Sequence, residues 1–187
     1  DQAGGRPDAG DVLLKAVLDL APDYHAARYD YARTLLRRHS HQQAVNELDK
    51  LRQIDPTNRV WRTTYVTAVV GLGDHERALK LYQELLEGAP RAPDIHLSIA
   101  HTYKTLGKTS DAVDSYHTAA SIRPDFGDAY WSLANLKTYR FGDDEIARMR
   151  AEEQSPTTAP EDRYHLCFAL GKALEDRGDY AESFRYY

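Results

Sequence analysis

Residues 90–124 read PRAPDIHLSIAHTYKTLGKTSDAVDSYHTAASIRP, and this stretch decides the fold. Ile95, Ile99, Thr102, Tyr103 and Leu106 recur at the i, i+3, i+4 spacing that puts side chains on one face of a helix. Gly107 then ends that helix, where a residue tolerant of positive φ is wanted. Ala112, Val113, Tyr116, Ala119, Ala120 and Ile122 mark a second helix. It stops before Pro124, because proline cannot donate to the helical ladder. Two short helices joined by a tight turn cannot bury their apolar face alone, so the stretch calls for neighbours of its own kind.

Those neighbours are written along the chain. Pro22, Pro56, Pro90 and Pro124 are each 34 residues apart, and Ala44, Ala78 and Ala112 keep the same period. So do Leu48, Tyr82 and Tyr116, Gly73 with Gly107, and Val17, Leu51, Leu85 and Ala119. A fixed period of this length is the mark of a repeat array. The expected fold is all-α, a right-handed α-solenoid of stacked helix–turn–helix units with one continuous core.

The bulk numbers exclude several functions. Of 187 residues, 28% are charged and 42% apolar, an ordinary globular mixture. Lys and Arg total 24 against 29 Asp and Glu, for a net charge of −5, which argues against an electrostatically driven nucleic-acid binder. No apolar run approaches a membrane span, so no membrane partner is expected either. Asp1–Gly10 carries neither a cationic flank nor an apolar stretch of signal-peptide type. The single cysteine, Cys167, permits no intrachain disulfide and no thiolate zinc site, which fits a reducing compartment such as the cytoplasm.

The period and its columns resemble the tetratricopeptide repeat family. The resemblance lies in Tyr31, Ala32, Leu35, Ala44, Leu48, Leu51 and Pro56; in Tyr65, Gly73, Ala78, Tyr82, Leu85 and Pro90; and in Ile99, Ala100, Tyr103, Gly107, Ala112, Tyr116, Ala119 and Pro124. It divides the chain into a partial repeat (1–24), three repeats (25–58, 59–92, 93–126), a degenerate repeat (127–159) and a truncated one (160–187). The departures are informative. Arg28, Arg62 and His96 replace the usual aromatic early in the first helix, Val66 replaces a small contact residue, and His39 stands in a glycine column. In the degenerate unit Lys137 falls on an inward slot, and Asp143–Glu153 plus the loop Gln154–Ala159 stand in for the second helix, which reads as a break in the stacking.

What the resemblance implies for function is a concave groove lined by the first helix of each pair. Its lining would be Tyr29, Asp30, Arg33, Arg37, Thr63, Thr64, Thr67, Asp94, Leu97, Ser98, His101, Lys104, Asp128, Trp131, Ser132, Asn135 and Tyr139. Of these, Tyr29, Arg33, Arg37, Thr63, Thr67, Asp94, Ser98, His101, Lys104, Asp128, Trp131 and Asn135 are the candidate partner-binding residues for a protein or peptide. Aromatics supply contact area, while Asn and Arg fix backbone or carboxylates. The same residues also read as the solvated face of a curved array, since exposed polar residues are the default. The family's clamp for a terminal carboxylate uses Lys and Asn where this chain has Tyr29, Arg33 and Thr64, so that mode is not expected, though Arg33 and Arg37 could grip an acidic partner.

Nothing assembles a catalytic constellation, so no catalytic residue, metal or cofactor is expected in this chain. The eight histidines include no HExxH, and His39 with His41 sits in a turn without acidic ligands nearby. Cys167 lies on an apolar stripe with Leu170 and Leu174 and reads as a buried packing residue. Gly71 and Gly73 are turn glycines, and Asp143, Asp144 and Glu145 suit a helix start rather than a calcium loop.

The segments Asp128–Arg148 and Pro160–Tyr187 are further similar to the region upstream of the catalytic domain in bacterial sulfotransferases that carry these repeats. The matching residues include Trp131, Asn135, Leu136, Lys137, Phe141, Asp162, His165, Phe168, Gly171 and Lys172. The sequence ends on Phe184, Tyr186 and Tyr187 rather than a polar cap, so the expectation is a piece of a larger protein. PAPS would enter only through a catalytic domain beyond this chain, and that domain would be one partner of the repeats.

Overall fold

A computed structural model describes residues 9–187. Asp1–Asp8, inside the partial repeat expected over 1–24, lie outside the described residues, as do the side chains of Ala9 and Asp11. The described chain is all helical, in two compact units, one through Gly88 and one from Ala89 to Tyr187.

The first unit holds α1 (Ala9–Leu20), α2 (His25–Arg37), α3 (His41–Ile54), α4 (Arg59–Gly71) and α5 (His75–Gly88). Each helix packs on its successor, and the periodic apolar columns, Ala32, Leu35, Ala44, Leu48, Leu51, Tyr65, Val69, Ala78 and Leu85, are the buried ones. Asn58 caps α4 by accepting the Trp61 N–H at 3.2 Å. Gly73 turns the chain between α4 and α5 at φ 79°, and His39 makes the equivalent turn between α2 and α3 at φ 57°. The contact between α4 and α5 is the least extensive of the three helix pairs at Ala32–Ala44, Val66–Ala78 and Ala100–Ala112. Val66 is the bulkier residue at that crossing, and side-chain volume sets how closely two helices approach.

The second unit holds α6 (Pro93–Thr105), α7 (Thr109–Ile122), α8 (Gly127–Ala134), α9 (Asp143–Gln154), α10 (Pro160–Asp176) and the single turn α11 (Tyr180–Ser183). One core runs through it, with Tyr116, Tyr130, Leu133, Met149, Leu166 and Leu170 all buried. Proline at the first position of α6 and α10 suits a site whose N–H has no helical acceptor.

Here the pairing scheme changes. α8 has 8 residues where α6 has 13, and it packs chiefly on α10 rather than on its own successor α9. The side-chain amide of Asn135 donates to the Trp131 carbonyl at 2.8 Å, a local bond that competes with helix continuation. Lys137, expected on an inward slot, is therefore exposed in the turn after α8, because no helix remains there to aim it inward. Leu136 and Phe141 are buried in its stead. α9 starts 34 residues after α7, with the Gly142 N–H held by Glu145 Oε2 at 2.9 Å.

The polar residues in the aromatic column have a use of their own. Arg28 donates to the Pro22 carbonyl at 2.6 Å and pairs with Glu47, while His96 Nε2 lies 3.0 Å from the Pro90 carbonyl. Both tie the start of a first helix to the proline turn six residues earlier. Arg62 departs from this and faces Glu84 at 3.8 Å.

Candidate partner-binding surfaces

In the first unit the exposed side of α2 and α4 carries Tyr29, Arg33, Arg37, Thr63 and Thr67. Thr64 Oγ1 donates to the Val60 carbonyl at 2.8 Å, so the Tyr29 hydroxyl is the donor in their 3.0 Å bond, and this bond links α2 to α4. Thr63 and Thr67 likewise spend their hydroxyl protons on the carbonyls of Arg59 and Thr63. What remains for a ligand is their methyl groups and the acceptor lone pairs of their hydroxyl oxygens. Arg33 lies 5.9 Å from the Tyr29 ring centre and 3.7 Å from Asp30, and Arg37 reaches Thr34 Oγ1 at 3.3 Å. These side chains line a shallow cleft of about 430 Å³ with Leu14 and Leu36.

In the second unit Asp94, His101 and Lys104 are exposed on α6, and Ser98 turns its hydroxyl to the Asp94 carbonyl at 2.8 Å. His101 Nδ1 lies 2.8 Å from the hydroxyl of the buried Tyr116. Loss of water around the ring lowers the His101 pKa; Asp128 works against this and Lys104 with it. The same desolvation pushes Tyr116 up to about 12. Two residues expected in the groove are not available there. Leu97 and Ser132 are buried, Leu97 within the core and Ser132 with its hydroxyl 3.4 Å from Asp128 Oδ1. Tyr139 is also committed internally: it donates to Glu145 Oε1 at 2.6 Å and lies 2.9 Å from His117 Nε2. Burial first, then Glu145, raises its pKa.

Trp131 and Asn135 open onto a second cleft, of about 380 Å³, within the same unit. Lys137, Arg140, Phe168, Lys172 and Tyr187 complete it. None of these five was singled out as a groove residue from sequence. Phe168 and Lys172 stand 37 residues after Trp131 and Asn135, so counting the groove positions onward from Tyr164 would have found them. Arg140 lies off the groove positions and carries no such signal. Tyr187, on the same count from Tyr164, falls in the column of Leu48, Tyr82 and Tyr116, which marks a packing position rather than the groove.

Other residues offer little chemistry. Cys167, expected to be buried, is half-exposed, and desolvation raises its thiol pKa, which disfavours the thiolate. Among the described residues no group of three His, Cys, Asp or Glu is arranged to hold a metal ion, and no helix is long and apolar enough to cross a membrane.

Among curated proteins, the chain is 36% identical over 80 residues to an uncharacterized lipoprotein of Treponema pallidum (strain Nichols). That match spans 43% of this chain and 40% of the relative's length, well under half of it. Among solved structures, MamA superposes with a TM-score of 0.60 at 18% identity, covering 94% of this chain and 98% of that one. Yeast Tom70 gives a TM-score of 0.68 at 14% identity, covering 98% of this chain and 39% of Tom70. At such identities the likeness is one of fold, and the fold is the all-α helical solenoid built of helix–turn–helix units. The tetratricopeptide repeat model matches residues 3–64 and 70–136, more than half of the sequence, and the chain belongs to the tetratricopeptide repeat family.

Proposed function

We propose that this chain is a protein–protein interaction scaffold that binds a peptide or partner domain on the exposed faces of its first-position helices. Repeat arrays of this family use such faces as extended binding surfaces. The observation that carries the reading is Trp131. It is 40% exposed on α8 while its neighbours Tyr130, Ser132 and Leu133 are buried. A large apolar ring left in water beside polar groups is what a binding hot spot requires. Arg33 and Arg37 beside Tyr29 offer a similar combination in the first unit. The net charge of −5 favours a protein partner over a nucleic acid.

The test is direct binding of a purified partner, identified by pull-down, to the full chain and to Trp131→Ala and Arg33→Glu. Binding weakened by about tenfold with an unchanged melting temperature supports the surface, since a hot-spot truncation costs on this order. Equal binding by both variants refutes it.

A second reading makes the repeats the scaffold of a PAPS-dependent sulfotransferase, presenting a substrate or docking its catalytic domain. Its support is the similarity over Asp128–Arg148 and Pro160–Tyr187 alone. The intact mass of the protein isolated from its source decides it: a mass near 21.2 kDa ends the idea, and a larger one calls for PAPS binding by the whole protein.

A further inference from the structure

We infer that the cleft beside Trp131 takes an internal acidic peptide segment bearing an aromatic side chain. This rests on the scaffold reading and adds the chemistry of the partner.

Charge is the first ground. In a chain of net charge −5, the cleft is lined by Lys137, Arg140 and Lys172 and by no acidic side chain. Lys172 is compensated by Asp176 at 2.6 Å and Glu175 at 3.7 Å. Arg140 has only a share of that same Asp176, at 3.5 Å. Lys137 is exposed and has no ion-pair partner among the described residues. The positive surplus therefore sits on the Lys137–Arg140 side. The Arg140 guanidinium is fixed there by the carbonyls of Lys137 and Tyr139, at 3.0 and 2.7 Å. An arginine held in place loses less side-chain freedom when it meets a carboxylate.

Aromatic surface is the second. Trp131, Phe168 and Tyr187 share the cleft, with Phe168 and Tyr187 5.7 Å apart between ring centres. Rings so placed accept another ring edge-on or offset. About 380 Å³ of open space suits one or two side chains of an extended segment, not a folded domain. A peptide can keep its acidic side chains on the Lys137–Arg140 side, away from Glu175 and Asp176 behind Lys172, whereas a continuous phosphate backbone carries charge along the whole cleft. Lys137 and Arg140 share one turn, which suits acidic side chains along a segment, and blocked termini on the probe exclude capture of a terminal carboxylate.

The probe is a fluorescein-labelled ten-residue peptide with one Phe flanked by Asp and Glu and both termini blocked. It is compared with a Phe-to-Ser version, with a version carrying Lys for every acid, and with a pool of neutral peptides. Anisotropy with the full chain should show the acidic aromatic peptide binding best, and binding should weaken severalfold between about 50 and 300 mM salt. Lys137→Glu and Trp131→Ala should each weaken it by about tenfold while melting temperature stays put. Lys137→Ala, which adds no repulsion, should fall between wild type and Lys137→Glu. Equal binding to Lys137→Glu overturns the assignment, as does preference for the Lys peptide, or a single-stranded oligonucleotide binding more tightly than the acidic peptide. If neutral or basic peptides bind instead and lose affinity in Arg33→Glu, the cleft assignment falls and the scaffold reading stands. If no peptide of any kind binds, the cleft assignment falls, and the scaffold reading is decided by the pull-down for a partner domain.

Discussion

Arg123, at the end of α7, places Nη2 2.6 Å from both carboxylate oxygens of Asp162, which lies in the first turn of α10. The same Asp162 accepts the Gly127 N–H at 3.1 Å, so one carboxylate joins the end of α7, the start of α8 and the start of α10. A carboxylate in the first turn also opposes the helix dipole of α10 favourably. The guanidinium further covers the Phe126 ring at 3.9 Å. This junction holds α8 against α10, and with them both walls of the Trp131 cleft.

Gly127 should tolerate no side chain. A Cβ there would lie 2.1 Å from the Asp162 carbonyl oxygen, a backbone atom that moves only if α8 and α10 separate. Gly127→Ala should cost about 1–3 kcal/mol by overpacking. Gly171 gives the contrast, since a Cβ there meets the Tyr187 ring at 2.9 Å, a side chain that can swing aside. Gly171 is also inside α10, where alanine gains about 1 kcal/mol of helix propensity, so Gly171→Ala should be near neutral. Urea unfolding of both variants checks the ranking, and equal losses would mean that the backbone contact does not limit the approach.

Removing the carboxylate should cost more than removing an exposed ion pair. Asp162 is largely buried, and Asp162→Ala leaves the Gly127 N–H and part of the Arg123 guanidinium without their partner. A loss of about 1–3 kcal/mol is expected, against under about 1 for a surface pair such as Arg33–Asp30. Denaturation of Asp162→Ala beside Asp30→Ala compares the two.

The fold was legible because it is local and periodic. Columns such as Ala44, Ala78 and Ala112, all fully buried, report the same helix crossing three times over. The α8–α10 pairing was not legible, because it depends on Arg123 and Asp162, which are 39 residues apart and belong to no column. Losing part of one helix also moved Lys137 from an expected inward slot to an exposed turn. Half of the Trp131 cleft was hidden for a related reason: the three-residue lengthening ahead of Tyr164 shifts Phe168 and Lys172 off the 34-residue count. Leu97 and Ser132 were misread as groove residues because a helix offers no sharp edge between its buried and exposed faces.

His39 sits at φ 57°, where Gly73, Gly107 and Gly178 make the equivalent turns at φ 79°, 73° and 81°. A side chain in the left-handed region costs roughly 1–2 kcal/mol, part of which glycine returns through its freer unfolded chain. His39→Gly should therefore stabilise by about 0.5–1 kcal/mol. Thermal melting reads it, and a lower midpoint would show that the edge-on contact between the His39 and His41 rings, 5.7 Å apart, outweighs the strain.

Tyr116 should separate ring packing from hydrogen bonding. Its side chain is fully buried, so Tyr116→Ala should cost about 3–5 kcal/mol, whereas Tyr116→Phe, losing the hydroxyl's bonding to His101 and Ser132 but keeping the ring, should cost about 1. Leucine at the equally buried Ala112 should cost about 1–3 kcal/mol by forcing α6 and α7 apart. Calorimetry of the three variants gives the order, and a neutral Ala112→Leu would place that residue away from the helix contact.

His101 predicts the direction of the pH response. Desolvation lowers its pKa in the folded state below the 6.5 of the free side chain, so between those two values the unfolded chain binds the extra proton. Its contribution to stability is complete above about 6.5 and declines as pH falls through the folded value, then levels off. The Asp128 carboxylate narrows that window and Lys104 widens it. Replacing His101 with Gln removes the titration but keeps a polar partner near the Tyr116 hydroxyl. The difference in melting temperature between wild type and His101→Gln, followed from pH 7.5 down to about 5, should therefore shift against wild type as the solution is acidified. A difference that stays flat across that range would mean that the ring titrates as it does in the unfolded chain, and that its contact with Tyr116 leaves it open to water.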